Sequence, residues 1–338
     1  MDKLLTEKIG NLLSDKLQSI VIVTHTNPDG DAIGSCLALR RVMFHAGFTS
    51  ISVIIPNGDP VFLHWMKDHE MIINATQSPQ LANQLIESAS IVFCLDFNHL
   101  NRAESVSESL ILSKAVKILI DHHPEPGDGF DVLVSTTMVS STAELVYEFI
   151  LLMGWEEFLD KYIAECIYTG IVTDTGSFSY NCNYPRTYEI LSDIMKWQID
   201  GGEIHRKIYS TFSEKRMRLL GYCLSEKLVV IPNYQTAYIS LSRKELNRYD
   251  HQIGDTEGIV NYALSLQGIN LAALFTENKD YIKISLRSSG AIDVNDLARK
   301  HFSGGGHMNA SGGKSFVGLE ETVSIFERIV KQRSPVHV

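Results

Sequence analysis

The chain has 338 residues, of which 44% are hydrophobic and 21% charged, and a formal charge of −10. That length is long for one core and comfortable for two, and the composition excludes a disordered chain. The negative total argues against a protein that tracks long nucleic acid through a basic groove. It favours small or short phosphate-bearing substrates, drawn in by local charge.

No apolar stretch approaches the roughly 18 residues needed to span a bilayer. The N-terminus, MDKLLTEKIGNLLSDKLQSI, is amphipathic and carries acidic residues, unlike a signal or transit peptide. The five cysteines (Cys36, Cys94, Cys166, Cys182 and Cys223) are odd in number, scattered, and free of any CxxC pair. That pattern argues against a disulfide framework or thiolate zinc site and for a reducing, cytoplasmic setting.

In chain order, Ser19–Thr24 (SIVIVT) is a β-branched strand run, and Asp31–Ala46 follows with helical spacing of apolar residues. Ile51–Ile55, Ile91–Asp96 (IVFCLD) and Val116–Asp121 (VKILID) are further strand runs, each ending in a loop. Continuous apolar runs of this length suit strands covered on both faces, and their alternation with helices predicts an α/β fold with a parallel, doubly wound sheet. Helical patterns cover Ser141–Met153, Leu159–Thr173 and Pro185–Trp197, then the charged stretch Gly201–Tyr222. Strand patterns follow at Leu228–Ile231, Thr236–Leu241, Leu271–Glu277 and Tyr281–Leu286. The glycine-rich segment Ser303–Gly313 and a last helix, Leu319–Gln332, close the chain.

The polar clusters fall where three of the first-half strands end, which is the edge where such sheets bind ligands. THTNPDGDAIGS (Thr24–Ser35) offers His25, Asp29 and Asp31 within seven residues. Asp31 has an alternative reading as a helix N-cap. Asp96 ends a buried strand, where a carboxylate is costly unless it is paired or bound to metal; capping the next helix is the alternative. Asp121, His122 and His123 end another strand, and a carboxylate beside an imidazole is the usual way to orient a ligand. A solvent-exposed histidine pair is the alternative there. Asp174 ends an apolar helix amid small residues, where a polar turn would also account for it. Together, four separate segments present carboxylate or imidazole groups and no cysteine, which suits Mn²⁺ or Mg²⁺ better than structural zinc. Two ions about 3.5–4 Å apart are the standard device for phosphoryl hydrolysis.

HTNPDGD, LDF, DHHPEP and TDTGSF resemble, in order, the four successive motifs of the DHH phosphoesterase superfamily. FSGGGHMNASGG (Phe302–Gly313) resembles the GGGH signature of the DHH-associated C-terminal domain, and SLRS (Ser285–Ser288) its arginine-bearing strand. The subgroup most similar in length and layout is that of the bifunctional oligoribonucleases and 3′-phosphoadenosine-5′-phosphate (pAp) phosphatases. The resemblance implies a catalytic metal-binding domain over residues 1–195 and a helical linker over 196–224. A smaller mixed α/β substrate-binding domain would follow over 225–338. It implies two divalent ions, Mn²⁺ with Mg²⁺ or Co²⁺ as alternatives. His25 and Asp29 would hold one ion, Asp31, His122 and Asp174 the other, and Asp96 would bridge them. Asp121 would orient His122, and His123 would act at the scissile phosphate. Arg102, Arg287, Gly304, Gly305, Gly306 and His307 would bind substrate; a flexible loop is the alternative for the glycines.

The implied substrates are short single-stranded RNA or DNA oligonucleotides and nucleotide bisphosphate, with no membrane partner and with a homodimer among the open assemblies. Linear or cyclic dinucleotide hydrolysis and single-strand exonuclease action are alternatives, although the chain leaves no space for an added oligonucleotide-binding module. Pyrophosphatases and exopolyphosphatases of this superfamily build the second domain without GGGH. A nucleotide-sensing binding protein is the non-enzyme alternative, against which stands the full set of expected ligand residues.

Overall fold

The computed structural model describes residues 3–333 and separates into two units, Met1–Thr211 and Phe212–Val338. In the first unit the elements run α1 (Lys3–Leu12), β1 (Ile20–Val23), α2 (Gly30–His45), β2 (Ile51–Ile55), β3 (Ile72–Asn74), α3 (Pro79–Ser88) and β4 (Ile91–Leu95). They continue with α4 (Ser107–Leu112), β5 (Val116–Asp121), β6 (Val132–Ser135), α5 (Thr142–Leu152), α6 (Lys161–Asp174), α7 (Pro185–Met195) and α8 (Gly201–Tyr209).

The strands form a six-stranded sheet in the order β3-β2-β1-β4-β5-β6, and every pairing is parallel. Their apolar runs are continuous because both faces are covered. Ile20, Ile22, Ile91, Phe93, Leu95, Ile118 and Ile120 enter one core with residues of α2, α5 and α6. Val21, Val23, Val92, Cys94 and Leu119 enter a second core on the opposite face, against α3 and α4. Each buried aliphatic side chain contributes roughly 1.5–3 kcal/mol. The chain runs outward from β1 to β3 and then returns to the other side of β1 as β4. The switch point between β1 and β4 is where an open α/β sheet has its crevice.

The short strands β3 and β6 and the helices α3 and α4 escape the sequence reading. β3 has three residues. β6 is an edge strand in which buried and solvent-facing positions alternate, so it lacks the continuous apolar run of a central strand.

In the second unit the elements are α9 (Glu214–Tyr222), β7 (Leu228–Ile231), β8 (Thr236–Leu241), α10 (Arg243–Arg248), α11 (Ile259–Leu264), β9 (Leu271–Glu277), β10 (Ile282–Ser288), α12 (Val294–His301), β11 (Gly305–His307), β12 (Ala310–Ser315) and α13 (Leu319–Lys331). The sheet order is β11-β12-β10-β9-β8-β7; β8 and β9 are parallel and the other pairs antiparallel. The charged stretch 201–222 is therefore two helices. α8 buries Ile204 and Ile208 in the first unit's core, and α9 buries Leu219 in the second unit's.

α2 and α6 pack unusually closely. A Cβ on Gly34 would lie 2.5 Å from the Cys166 carbonyl oxygen, and one on Gly170 would lie 2.6 Å from Asp31 Oδ1. Gly34→Ala should therefore destabilise the first unit by about 1–3 kcal/mol through overpacking. Gly10→Ala, on α1 with nothing within 4 Å of the added Cβ, should instead stabilise by roughly 0.5–1 kcal/mol. Urea denaturation followed by circular dichroism compares the two; equal effects would mean that the α2–α6 contact is looser than described.

Candidate active site

Three adjacent strands, β4, β1 and β5, deliver the polar groups to one edge. β1 ends at Val23, and the chain continues through Thr24 and His25 into the turn before α2. Asp29 is the N-cap of α2, its carboxylate accepting the N–H groups of Asp31 and Ala32 at 3.0 and 3.1 Å. The capping role considered for Asp31 at its own helix thus belongs to Asp29. Asp31 lies inside α2, 0% exposed, and serves a different helix: its oxygens accept the N–H groups of Thr142 and Ala143 at 2.7 and 2.8 Å. Those are the first residues of α5, where unpaired N–H groups favour an anion.

Asp96 follows β4 with φ +65, a left-handed conformation that aspartate tolerates better than most residues. It is 3% exposed, and Oδ1 accepts the Thr142 hydroxyl at 2.9 Å. His25 donates Nδ1–H to the Thr26 carbonyl at 3.0 Å, which turns Nε2 toward Asp96 Oδ2 at 3.4 Å. The histidines after β5 are buried, at 2% for His122 and 8% for His123, so they are not a solvent-exposed pair. His122 Nε2 faces three carboxylates: Asp174 at 3.4 Å, Asp96 at 3.6 Å and Asp31 at 3.9 Å. Asp121 engages His123, accepting its backbone N–H at 3.1 Å and Nδ1 at 2.7 Å. The family resemblance implies that orienting bond for His122. The turn after β5 instead folds the second imidazole back over the strand-end carboxylate.

The ligand atoms of His25, Asp29 and Asp96 lie within 4.8 Å of one another, and so do those of Asp31, Asp96 and His122. Asp96 is common to both groups. Burial, followed by the charges of Asp96, Asp174 and Asp29, pushes the Asp31 carboxyl well above its ordinary range. Asp96 is pushed up to about 6, chiefly by burial, with the hydrogen bond to His25 pulling the other way. Burial opposes the imidazolium of His25, but the bond to Asp96 and the charges of Asp96 and Asp29 outweigh it, and its pKa is raised. Carboxylates crowded in this way fit a divalent cation: they are close, desolvated and mutually repelling, and oxygen outnumbers nitrogen among the donors.

Arg102 joins the site through the backbone, its carbonyl accepting the Thr26 N–H at 2.9 Å, and its charge bears on His25. Two contributors escaped the sequence reading. Thr142 holds both Asp31 and Asp96, and Gly170 leaves room for the Asp31 carboxylate. The readable signal was SSTAEL, a run of small hydroxyl residues opening an apolar helix.

In the second unit, Arg287, Ala310 and His307 lie in one row across β10, β12 and β11. Directly opposed residues share a face, and the small Ala310 separates the two larger groups. The glycine-rich segment is thus a strand pair and not a flexible loop. A Cβ on Gly304 would lie 2.0 Å from the Gly312 carbonyl oxygen. Gly306 has φ +149, its N–H is donated to Asn295 Oδ1 at 3.0 Å, and an added Cβ would lie 2.7 Å from the Ala310 carbonyl oxygen. At Gly305 the nearest atom to such a Cβ would be 3.4 Å away, so Gly304 and Gly306 have packing reasons that Gly305 lacks.

A carboxylate and imidazole centre at the carboxyl edge of a parallel sheet has the inventory of a hydrolase. Residues 19–171 match the DHH family, N-terminal domain, and residues 234–332 match the DHHA1 domain. A probable bifunctional oligoribonuclease and PAP phosphatase NrnA from Streptococcus mutans is 28% identical over 312 residues, 92% of this chain and 94% of that protein. The crystal structure of an exopolyphosphatase-related protein from Bacteroides fragilis is 40% identical, covers 98% of this chain and 96% of its own, and superposes with a TM-score of 0.90. RecJ from Thermus thermophilus in complex with Mn²⁺, at 13% identity and a TM-score of 0.58, shares the fold; the match covers 99% of this chain and 56% of that one. The chain belongs to the DHH family and carries a DHHA1 domain. It is an enzyme that hydrolyses phosphate esters.

Asp96→Asn keeps shape and deletes charge, so near-complete loss of hydrolysis is expected; retention of a tenth or more of wild-type turnover would exclude an essential charge at this position. A stability test needs no activity. Because burial raises the Asp96 pKa from 3.8 to about 6, the folded metal-free chain binds the extra proton, and stability falls as pH rises through that interval. The melting temperature of metal-free Asp96→Asn should therefore pull ahead of wild type by a few degrees between about pH 4 and 6 and hold that lead above it. A lead that shrinks with rising pH would reverse the assigned shift.

Proposed function

We propose that the chain is a cytoplasmic phosphoesterase that hydrolyses short single-stranded oligonucleotides and pAp with two divalent ions, Mn²⁺ by preference. The observation that carries this reading is Asp96, one carboxylate shared by two groups of candidate ligands. The Streptococcus mutans relative, named as an oligoribonuclease and PAP phosphatase, supports the substrate class. No helix among the described residues is long and apolar enough to cross a membrane, and all five cysteines are free and buried, which agrees with a reducing compartment.

In this reading His25 and Asp29 would hold one ion, Asp31, His122 and Asp174 would hold the other, and Asp96 would serve both. When bound, the ions would neutralise the scissile phosphate and activate water for attack. The protein's own groups do the rest. Thr142 and the first N–H groups of α5 hold Asp31 and Asp96 in place. The bond from His123 Nδ1 to Asp121 directs Nε2 outward and balances the charge of a proton held there, so that Nε2–H can be donated to a phosphate or leaving oxygen. Arg102 adds positive charge beside His25. Chemistry is assigned to the first unit, and nucleotide recognition in the second to Arg287, His307 and the glycine segment Gly304–Gly306. The Gly306 N–H is already held by Asn295, and the N–H groups of Gly304 and Gly305 are the ones assigned to phosphate.

A second reading, hydrolysis of polyphosphate, is favoured by the name of the 40% identical Bacteroides fragilis protein. One panel with Mn²⁺ separates the two: pAp, RNA from dimer to about 24-mer, cyclic dinucleotides and polyphosphate. Ordering each added nucleotide costs entropy without further phosphate contacts, so kcat/KM should peak at short lengths and depend weakly on salt. A steady rise with length and a steep salt slope would point to a processive exonuclease. Turnover of polyphosphate above that of every nucleotide would favour the second reading.

Arg287→Ala and His307→Ala should lower kcat/KM for pAp roughly tenfold to a hundredfold by removing charge-assisted phosphate contacts. Bis-p-nitrophenyl phosphate should be nearly unaffected. Equal losses on both substrates would exclude a role confined to recognition.

A further inference from the structure

Outside the active site, Asp59, His64 and His69 form another compact group whose ligand atoms lie within 4.8 Å of one another. All three are in the β2–β3 connection. His69 Nε2 lies 2.7 Å from Asp59 Oδ2, and His64 Nε2 lies 3.5 Å from the same oxygen. The two imidazole rings are 4.2 Å apart, centroid to centroid. The Asp59 side chain is only 8% exposed, and its ion pairs are with these two histidines. We propose that Asp59, His64 and His69 form a cation site separate from the catalytic centre, taking a borderline divalent ion of the Zn²⁺ class.

The donor set selects that class. Two imidazoles and one carboxylate suit Zn²⁺, Co²⁺ or Ni²⁺, whereas Mg²⁺ and Mn²⁺ prefer the oxygen-rich set at the active site. Around a tetrahedral ion with bonds near 2.0–2.1 Å, neighbouring ligand atoms stand about 3.3–3.4 Å apart. The His64–Asp59 separation of 3.5 Å is close to that edge. The His69–Asp59 contact, a hydrogen bond at 2.7 Å, would have to open by about 0.6 Å to reach the same edge. The fourth position would fall to water, because the His64 side chain is 44% exposed.

Contacts that need no ion hold the ligands in place. Asp68, beside His69, is fixed by Arg41 at 2.8 Å and Arg40 at 3.5 Å. Trp65, beside His64, packs under Lys207, whose Nζ lies 4.3 Å from the ring centroid. The loop also reaches the catalytic segment. Asn57, two residues before Asp59, accepts the Asn27 N–H at 2.6 Å and donates to Asn27 Oδ1 at 2.8 Å. Asn27 itself lies two residues before Asp29. A bound ion would therefore staple the two ends of the connection that buttresses the His25–Asp31 turn.

The experiment is Zn²⁺ uptake by EDTA-stripped full-length protein, measured by equilibrium dialysis and metal analysis. Wild type, His64→Ala, His64→Gln and Asp96→Asn are compared, with far-UV circular dichroism to show that each is folded. Wild type is expected to bind about one Zn²⁺ per chain more than either His64 variant, and Asp96→Asn is expected to retain that equivalent. Equal uptake by wild type and both His64 variants would overturn the proposal, leaving the cluster as a His69–Asp59 hydrogen bond with His64 packed beside it.

Discussion

The constraint on which the first unit depends is the confinement of negative charge at one sheet edge. Asp31 and Asp96 are almost fully buried, and Asp174 stands 3.4 Å from the same His122 nitrogen that faces them both. Bringing such groups together costs desolvation and mutual repulsion, unless they take up protons or a cation. The upward-shifted pKa values of Asp31 and Asp96 have the same origin: burial first, with repulsion from neighbouring carboxylates adding to it. A dication held among these carboxylates would relieve the same repulsion without a proton.

The fold offsets part of the cost with fixed dipoles. Asp31 faces the N-terminus of α5 and takes two of its N–H groups, while the Thr142 hydroxyl serves Asp96. Reaching this arrangement requires α2 and α6 to approach through glycine, because a side chain on Gly170 would collide with the Asp31 carboxylate. Helix packing and electrostatics are therefore one problem here: the close contact exists where the charge must be placed.

The second unit solves a different problem. Its sheet is covered on one face by α12 and α13, while α9, α10 and α11 pack on the other around β8 and β9. Arg287 and His307 share a row on β10 and β11, with only the methyl group of Ala310 between them. Glycine is needed there for strand packing, at Gly304 and Gly306 in particular. The glycine-rich motif thus has a structural reason that holds whatever it binds.

Much of this was legible in the amino-acid order. Strands buried on both faces must be apolar throughout, so β1, β2, β4 and β5 announce themselves, and an aspartate or histidine directly after such a run stands out. The helices α2, α5, α6 and α13 carry local periodicity and were readable for the same reason. Other features were not local. Strand order decided that β1, β4 and β5 are neighbours, which made one site of His25, Asp96 and His122. Tertiary packing decided that Asp29 caps α2 while Asp31 serves α5, and that Asp121 turns to His123. It also brought Asp59, His64 and His69 to a common point within a connection that shows no periodicity. The division follows from the physics: burial pattern and propensity act between residues close in the chain, whereas the partner of a buried charge is set by whichever distant backbone the packed helices and strands bring to it.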